Sequence, residues 1–233
     1  PDAPIPDGAN AVVKYEIVTN LENDGRASGR VAFSTPASAG DNIRQKGEEI
    51  AAGEVAIKAG EPLSPAGAGL LASCGLSQVE VYRRPRVAVI PIGSELVEPD
   101  ALPLPGQIRD GNSYAIGASV VRAGGIPHLH SIVPDDKDML AAAVLEAVEE
   151  SDFVVTSGGA SNGDFDYIQQ VVKEQGELFM DFVNMRPGKA QTFGLVKNTP
   201  VFGLSGNPAA AYCGFEMLVR PALRKMQGYA TFD

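Results

Sequence analysis

At 233 residues and 44% hydrophobic content, the chain is long enough for one large α/β domain, or one domain with a smaller partner, around a sizeable core. A formal net charge of −10 with scattered basic residues argues against duplex nucleic acid as the main partner, while leaving room for a locally positive anion pocket. No apolar run reaches about 18 residues and the start is not signal-like, so nothing in the sequence points to membrane insertion or secretion.

The two cysteines, Cys74 and Cys213, each sit amid small apolar residues and are expected as buried free thiols of a reducing, cytoplasmic compartment. His128 and His130 alternate on an expected strand, which is weak evidence for a metal. The chain begins at Pro1 and stops shortly after an expected helix, as a processed piece or fragment would.

Residues 1–50 are rich in Pro, Gly and short β-type runs and read as a β-rich module. Ala11–Val13, Tyr15–Val18 and Arg30–Phe33 are the expected strands, with turns at Asp7-Gly8 and Asn23-Asp24-Gly25. Residues 51–84 form a short α+β segment. Ser64 caps a helix with Pro65 at its first position, the helix stops near Gly75, and a strand from Gln78 to Tyr82 leads to the hinge Arg83-Arg84-Pro85.

Residues 85–230 alternate strand and helix. Val87–Ile90 is a continuous apolar strand; Asn112 caps a helix ending at Gly124-Gly125; a strand spans Ile126 to Val133; Asp135 or Asp136 opens a helix over Met139–Glu150. After the strand Phe153–Thr156 comes a helix over Tyr167–Gln175. Strands are then expected near Leu178–Val183, Thr192–Val196 and Val201–Leu204. The last helix begins at Gly206-Asn207-Pro208 and has Leu218, Leu223 and Met226 on its apolar face. Alternating units with short connections predict a mostly parallel sheet with helices on both faces.

The stretch from Phe153 to Asp166 carries the first chemistry. A β-branched strand stops at Ser157-Gly158-Gly159, where missing side chains let backbone N–H groups approach a ligand, and Asp164 and Asp166 follow. Two readings fit it by itself: a tight βα turn, or a ligand cradle. Glu95, Asp135, Asp136, the segment Asn184–Lys189 and the segment Ser205–Pro208 also follow strand ends, and a parallel sheet gathers most such loops on one edge. Arg186, Lys189 and helix N-termini suit phosphate, and the carboxylates suit a divalent cation bridging to it. The inferred ligand is a phosphorylated or nucleotide-like small molecule with Mg2+. No Ser/His/Asp or Cys/His arrangement appears, so covalent nucleophilic catalysis has no support.

The run Thr156–Tyr167, TSGGASNGDFDY, closely resembles the signature of the molybdopterin molybdenumtransferases, the MoeA family to which the gephyrin E domain also belongs. Ala3–Val13 resembles that family's early "APLPxGADAVV" segment, Gly47–Ile50 its "GEDI" and Gly93–Leu96 its "GDEL". Met185–Lys189 resembles its "KPGK" and Phe202–Pro208 its "GLPGNP", so ordered matches cover nearly the whole chain.

The resemblance implies a molybdopterin-binding α/β fold at 85–230, a β-rich domain portion at 1–50 and part of an elongated linker domain at 51–84. It implies a central fragment, without the family's amino-terminal helical segment and its "PMDGYA" motif or its carboxyl-terminal β-barrel. The implied task is molybdenum cofactor biosynthesis: insertion of molybdate into adenylylated molybdopterin with release of AMP. Carried over by position, Glu49, Glu95, Asp135, Asp166, Arg186 and Lys189 are the implied catalytic set, with Glu95, Asp164 and Asp166 on the metal. Ser157, Gly158, Gly159, Ser161, Gly163, Asp164, Pro187, Gly188, Gly206, Asn207 and Pro208 are the implied pterin-binding set. The family also implies a homodimer and an upstream molybdopterin adenylyltransferase as partner.

Three departures stand out: Phe182 where many members have lysine, Ser94 where they have aspartate, and Ser205 for the proline of "PGNP". They keep open a catalytically impaired pterin- or nucleotide-binding module or scaffold. An adenylyltransferase-like or CinA-like enzyme shares the α/β domain, and the β-rich segment before residue 85 argues against both.

Overall fold

A computed structural model describes residues 3–21, 30–159 and 167–232. The chain divides into two compact units, residues 1–58 and 59–233.

In the first unit, β1 (Val18–Asn20) and β2 (Val31–Phe33) form an antiparallel pair in which Thr19 faces Ala32. Tyr15–Ile17, expected as strand, closes instead into a 3-10 turn through the Ile17 N–H and the Lys14 carbonyl. Ala11–Val13 is also not a strand: the Val12 N–H donates to the Asp41 carbonyl, and the Asn42 amide donates back to the Val12 carbonyl. Loop contacts have taken the backbone groups that a ladder would need. The Asp7-Gly8 turn forms, with Gly8 at φ +85, and the Asn23–Gly25 turn lies outside the described residues.

The second unit opens with α1 (Pro65–Ser73). Ser64 Oγ accepts the Gly67 N–H at 3.0 Å, Pro65 takes the first turn, and Gly75 follows at φ +81. No strand forms at Gln78–Tyr82; the Tyr82 ring lies against Gly228 instead.

Then follow β3 (Arg86–Pro91), the short pair β4 (Leu96–Val97) and β5 (Ile108–Arg109), α2 (Asn112–Arg122), β6 (Ile126–Leu129), α3 (Lys137–Glu150) and β7 (Phe153–Ser157). They are succeeded by α4 (Tyr167–Gln175), β8 (Gly176–Met180), β9 (Thr192–Val196), β10 (Thr199–Leu204), α5 (Pro208–Gly214) and α6 (Arg220–Met226). The main sheet has the order β6-β3-β7-β10-β9-β8. Strands β6, β3, β7 and β10 are parallel; β9 runs antiparallel between β10 and β8.

The central strands are apolar along their length because both faces are covered. Ala88, Ile90, Val154 and Val201 pack with Leu140 and Val144 of α3 and Ile168 and Val171 of α4. Val87, Val89, Val155 and Phe202 pack on the other face with Ile116 and Val120 of α2 and the carboxyl-terminal helices.

The structure differs from the sequence reading in detail. The strand from Ile126 ends at Leu129, beyond which the chain swings back so that Val133 bridges Ile92. β8 begins directly at the end of α4, and the β-carbon of any residue at Gly176 would sit 1.9 Å from the Leu195 carbonyl oxygen. The last helix is interrupted by a π-helical turn over Phe215–Val219, so Leu223 is buried while Met226 stays 39% exposed. Cys74 is exposed at the end of α1 and Cys213 is half-buried, so the expectation of two buried thiols is corrected: α1 buries no residue at all. The rings of His128 and His130 lie 4.7 Å apart, and among the described residues no group of three or more His, Cys, Asp or Glu is placed to hold a metal ion.

Asp152 secures the entry to β7. Its carboxylate accepts both Arg83 guanidinium nitrogens, at 2.7 and 3.1 Å, and the Arg86 N–H at 2.8 Å. Burial draws its pKa upward, but the Arg86 N–H and the two guanidiniums outweigh burial and hold the carboxyl below its ordinary value. A depressed carboxyl contributes stability at neutral pH that is lost as pH falls through the folded-state pKa. Asp152→Asn should therefore cost about 1–2 kcal/mol at pH 7 and progressively less below about pH 4, read by urea denaturation at both pH values.

Candidate functional site

The sheet places a site at one edge. From β3 the chain crosses through α2 to β6 on one side, and then through α3 to β7 on the other. A crevice therefore opens at the carboxyl ends of β3 and β7, the usual ligand position of an open α/β sheet. Gly158 leaves β7 at φ +91, and a β-carbon there would lie 2.1 Å from the Ile92 carbonyl oxygen. No other residue fits this crossing. The Ile92 N–H donates to the Ser157 carbonyl at 2.8 Å, and the Gly158 N–H donates to the Leu204 carbonyl at 3.1 Å. The expectation that this glycine's N–H faces a ligand is thus corrected: it ties β7 to β10.

A cleft of about 540 Å3 lies over these strand ends, and Glu95, Asp135, Ser157–Gly159, Gly206 and Pro208 all line it. Asp135 is held by Ser94 in both directions. Its N–H donates to Ser94 Oγ at 2.9 Å, and its Oδ2 accepts the Ser94 N–H at 2.9 Å. Asp136, not Asp135, caps α3 by accepting the Met139 N–H. That division of labour leaves Asp135 for the cleft.

Asp110 and Asn112 also line the cleft, and the sequence reading missed both as site residues, treating Asn112 as a helix cap. The capping is done by Asp110, 5% exposed, whose carboxylate accepts the Ser113 N–H at 3.1 Å and the Ser113 hydroxyl. Asn112 begins the helix proper and its amide reaches across the cleft floor. The signal available in sequence was an Asp-Gly-Asn cluster directly after a strand end. On α2, desolvation and then Glu98, Asp110 and Asp100 raise the Tyr114 phenol above its ordinary pKa.

A second cleft, about 690 Å3, is lined by Arg186–Lys189 with Asn184, Ser205 and Asn207. Gly188 at φ +102 turns this loop, which closes through the Val183 N–H and the Lys189 carbonyl at 2.9 Å. The Arg186–Pro187 peptide is cis. Phe182 is half-exposed with Lys189 Nζ 6.0 Å from its ring centre. Asn207 caps α5 through the Ala210 N–H, and Ser205 Oγ accepts the Asn207 N–H at 3.3 Å. The Gly206–Pro208 loop belongs to both clefts and joins the carboxylate-lined one to the cationic one.

Ser161, Gly163, Asp164 and Asp166 lie outside the described residues. Glu49 belongs to the first unit, where Arg44 pairs with it at 3.2 Å and its side chain is 67% exposed.

The Gly158 crossing makes a direct prediction. Gly158→Ala must displace the Ile92 carbonyl and should lower stability by about 3 kcal/mol, whereas Gly106→Ala, equally left-handed but with open space around it, should cost about 1 kcal/mol. Thermal or chemical denaturation of the two variants side by side checks it, and equal losses would refute the crossing as the cause.

Known proteins resemble this chain in sequence and fold. Residues 88–225 match the family described as a probable molybdopterin binding domain, and residues 3–75 match the MoeA N-terminal region, domains I and II. The molybdopterin molybdenumtransferase of Staphylococcus aureus is 39% identical over 227 residues, covering 97% of this chain and 53% of that protein. The Bacillus subtilis protein of the same name is 37% identical over 225 residues, covering 95% and 51%. A crystal structure of the MoeA protein from Pyrococcus horikoshii superposes with a TM-score of 0.77 at 35% identity, covering 96% of this chain and 55% of that one. A second gives 0.75 at 29% identity, covering 99% and 55%. The chain spans about half the length of the curated relatives it matches. With both matches in the expected order along one chain, this protein belongs to the MoeA family of molybdopterin molybdenumtransferases.

Proposed function

We propose that the protein acts in molybdenum cofactor biosynthesis, transferring molybdate to adenylylated molybdopterin with release of AMP. The observation that supports this reading is the junction of a carboxylate-lined cleft with a cationic one across the Gly206–Pro208 loop. A phosphoanhydride with an oxyanion beside it needs both kinds of group within reach of one ligand. Lys189 offers a point charge and Arg186 a planar fork suited to oxyanions, so these two hold the anionic end. Ser157 and the Gly158–Gly159 turn shape the phosphate side, and Asp135 is a carboxylate oriented by Ser94 at the cleft wall.

Glu95 and Asp135 are hard oxygen ligands lining one cleft, which fits magnesium: this ion is held by one or two carboxylates, water and substrate phosphate rather than by a closed protein cage. When bound, it would neutralise charge developing on the phosphoanhydride. Asp164 and Asp166 are proposed as further ligands, and Glu49 keeps the catalytic assignment that the family resemblance gives it. The pterin-binding contacts are assigned to the turn at Ser157, the loop at Pro187-Gly188, and Ser161 and Gly163. The protein works as a cytoplasmic homodimer and receives its substrate from a molybdopterin adenylyltransferase. No helix among the described residues is long and apolar enough to cross a membrane.

A second reading, pterin binding without turnover, is favoured by Phe182, which places an aromatic ring rather than another cation beside Lys189. One assay separates the two. Given adenylylated molybdopterin, molybdate and Mg2+, the transferase releases AMP and forms active cofactor, whereas the binding module binds and yields neither. Lys189→Ala should weaken substrate binding by about 10- to 100-fold, the loss of one charge-assisted contact, with the thermal midpoint unchanged. Wild-type binding by this variant would remove the cationic cleft from the site.

A further inference from the structure

Asn112 is the first residue of α2, and its side chain joins two loops that the chain separates widely. Nδ2 donates to Ser157 Oγ at 2.9 Å and to the Gly206 carbonyl oxygen at 2.8 Å. The assignment of this amide does not depend on choice, because a carbonyl oxygen can only accept and so the NH2 group must face Gly206. Two consequences follow for hydrogen bonding. Both amide hydrogens of Asn112 are committed to the protein itself. Ser157 Oγ already receives a hydrogen from Asn112, so its own O–H is directed elsewhere, as a donor.

Ser157 is 3% exposed and both residues line the carboxylate-lined cleft. Asp110 pins the start of α2 through Ser113, and Gly206 lies beside Gly158 at ordinary van der Waals distance, a β-carbon on it falling 3.6 Å from the Gly158 Cα.

We infer that Asn112 is the positioning residue of this site: it latches the Ser157–Gly159 turn to the Gly206–Pro208 loop and orients the Ser157 hydroxyl to donate to a phosphate oxygen of the ligand. The latch itself stands on the free protein's geometry; only the phosphate half rests on the pterin reading proposed above. A hydroxyl free to rotate can meet a donor or an acceptor, and one whose oxygen already accepts an N–H keeps its hydrogen for an acceptor with only one lone pair left for a donor. A phosphate oxygen satisfies it, and a ligand lacking phosphate leaves it unmet.

Asn112→Asp tests this with almost no change of shape. It sets an oxygen against the Gly206 carbonyl, yet an acidic residue suits the first turn of a helix, so folding is retained. Asn112→Ser serves as the second variant, too short to span both loops. Hydrogen exchange on the ligand-free protein should show peptides over 157–159 and 205–208 exchanging about tenfold faster in either variant, with the rest of the sheet unchanged. The binding probes are the fluorescent oxidised pterin monophosphate obtained from molybdopterin and its dephosphorylated form. Asn112→Asp should weaken the phosphorylated probe by about tenfold and leave the dephosphorylated one within about twofold. Because Asn112 acts through Ser157, the double variant with Ser157→Ala should bind no more weakly than Ser157→Ala alone.

Unchanged exchange in both variants overturns the latch. Faster exchange with additive losses, or equal losses for both probes, overturns the route through Ser157. If the unaltered protein binds neither probe, the pterin reading fails together with the phosphate half of the inference, and the exchange comparison alone decides the latch.

Discussion

The site depends on a crossing that has room for no side chain. Where β7 ends, Gly158 passes over the Ile92 carbonyl at a separation that excludes a β-carbon. That close approach lets the backbone at the end of β7 bond to both neighbours at once, to Ile92 after β3 and to Leu204 of β10. Three strand ends are thereby held in one plane with their loops directed the same way. Glu95 and Asp135 on one side and the Gly206–Pro208 loop on the other reach a common cleft because this junction is fixed. Precise placement of several loops by rigid strands is what a site for a polyfunctional ligand requires.

On this base the charges are sorted. Carboxylates gather over β3 and α2, cations gather on the loop before β9, and a neutral Gly-Asn-Pro loop stands between them. Placed in direct contact, the two sets would neutralise each other, and little field would remain for a ligand. Separated by one loop, each keeps its charge for an incoming group. The acidic set is also restrained, since Asp110 is occupied by Ser113 and one oxygen of Asp135 by the Ser94 N–H. Such restraint spends the ordering cost during folding rather than on binding.

Much of this was legible in sequence, for physical reasons that also explain the rest. Continuous apolar runs at Val87–Ile90 and Phe153–Thr156 announce strands buried on both faces, and the caps Ser64, Asp136 and Asn207 announce helix starts. Loops following parallel strands share an edge, so Glu95, Asp135, Ser157 and Gly206 could be grouped without coordinates. Ala11–Val13 failed because strand identity there is settled by a partner across the ladder, and Asp41 and Asn42 supply a different one to Val12. Asn112 escaped for a related reason. Its local signal is that of a cap, whereas its role arises from two acceptors 45 and 94 residues away. Side chains that bridge distant loops leave no periodicity for a sequence to show.

The same reasoning bears on Ser94. An aspartate there, as in the pattern that Gly93–Leu96 resembles, would set a second carboxylate beside that of Asp135. Serine instead offers a hydroxyl oxygen to the Asp135 N–H while its own N–H meets the Asp135 carboxylate, closing a reciprocal pair with no added charge. Beside Asp135 the chain therefore carries one negative charge fewer than an aspartate would bring. For an anionic ligand that exchange lowers repulsion at the mouth; for a cation it removes one ligand. Asp135, so held, lines the same cleft in which Asn112 holds the Ser157 hydroxyl.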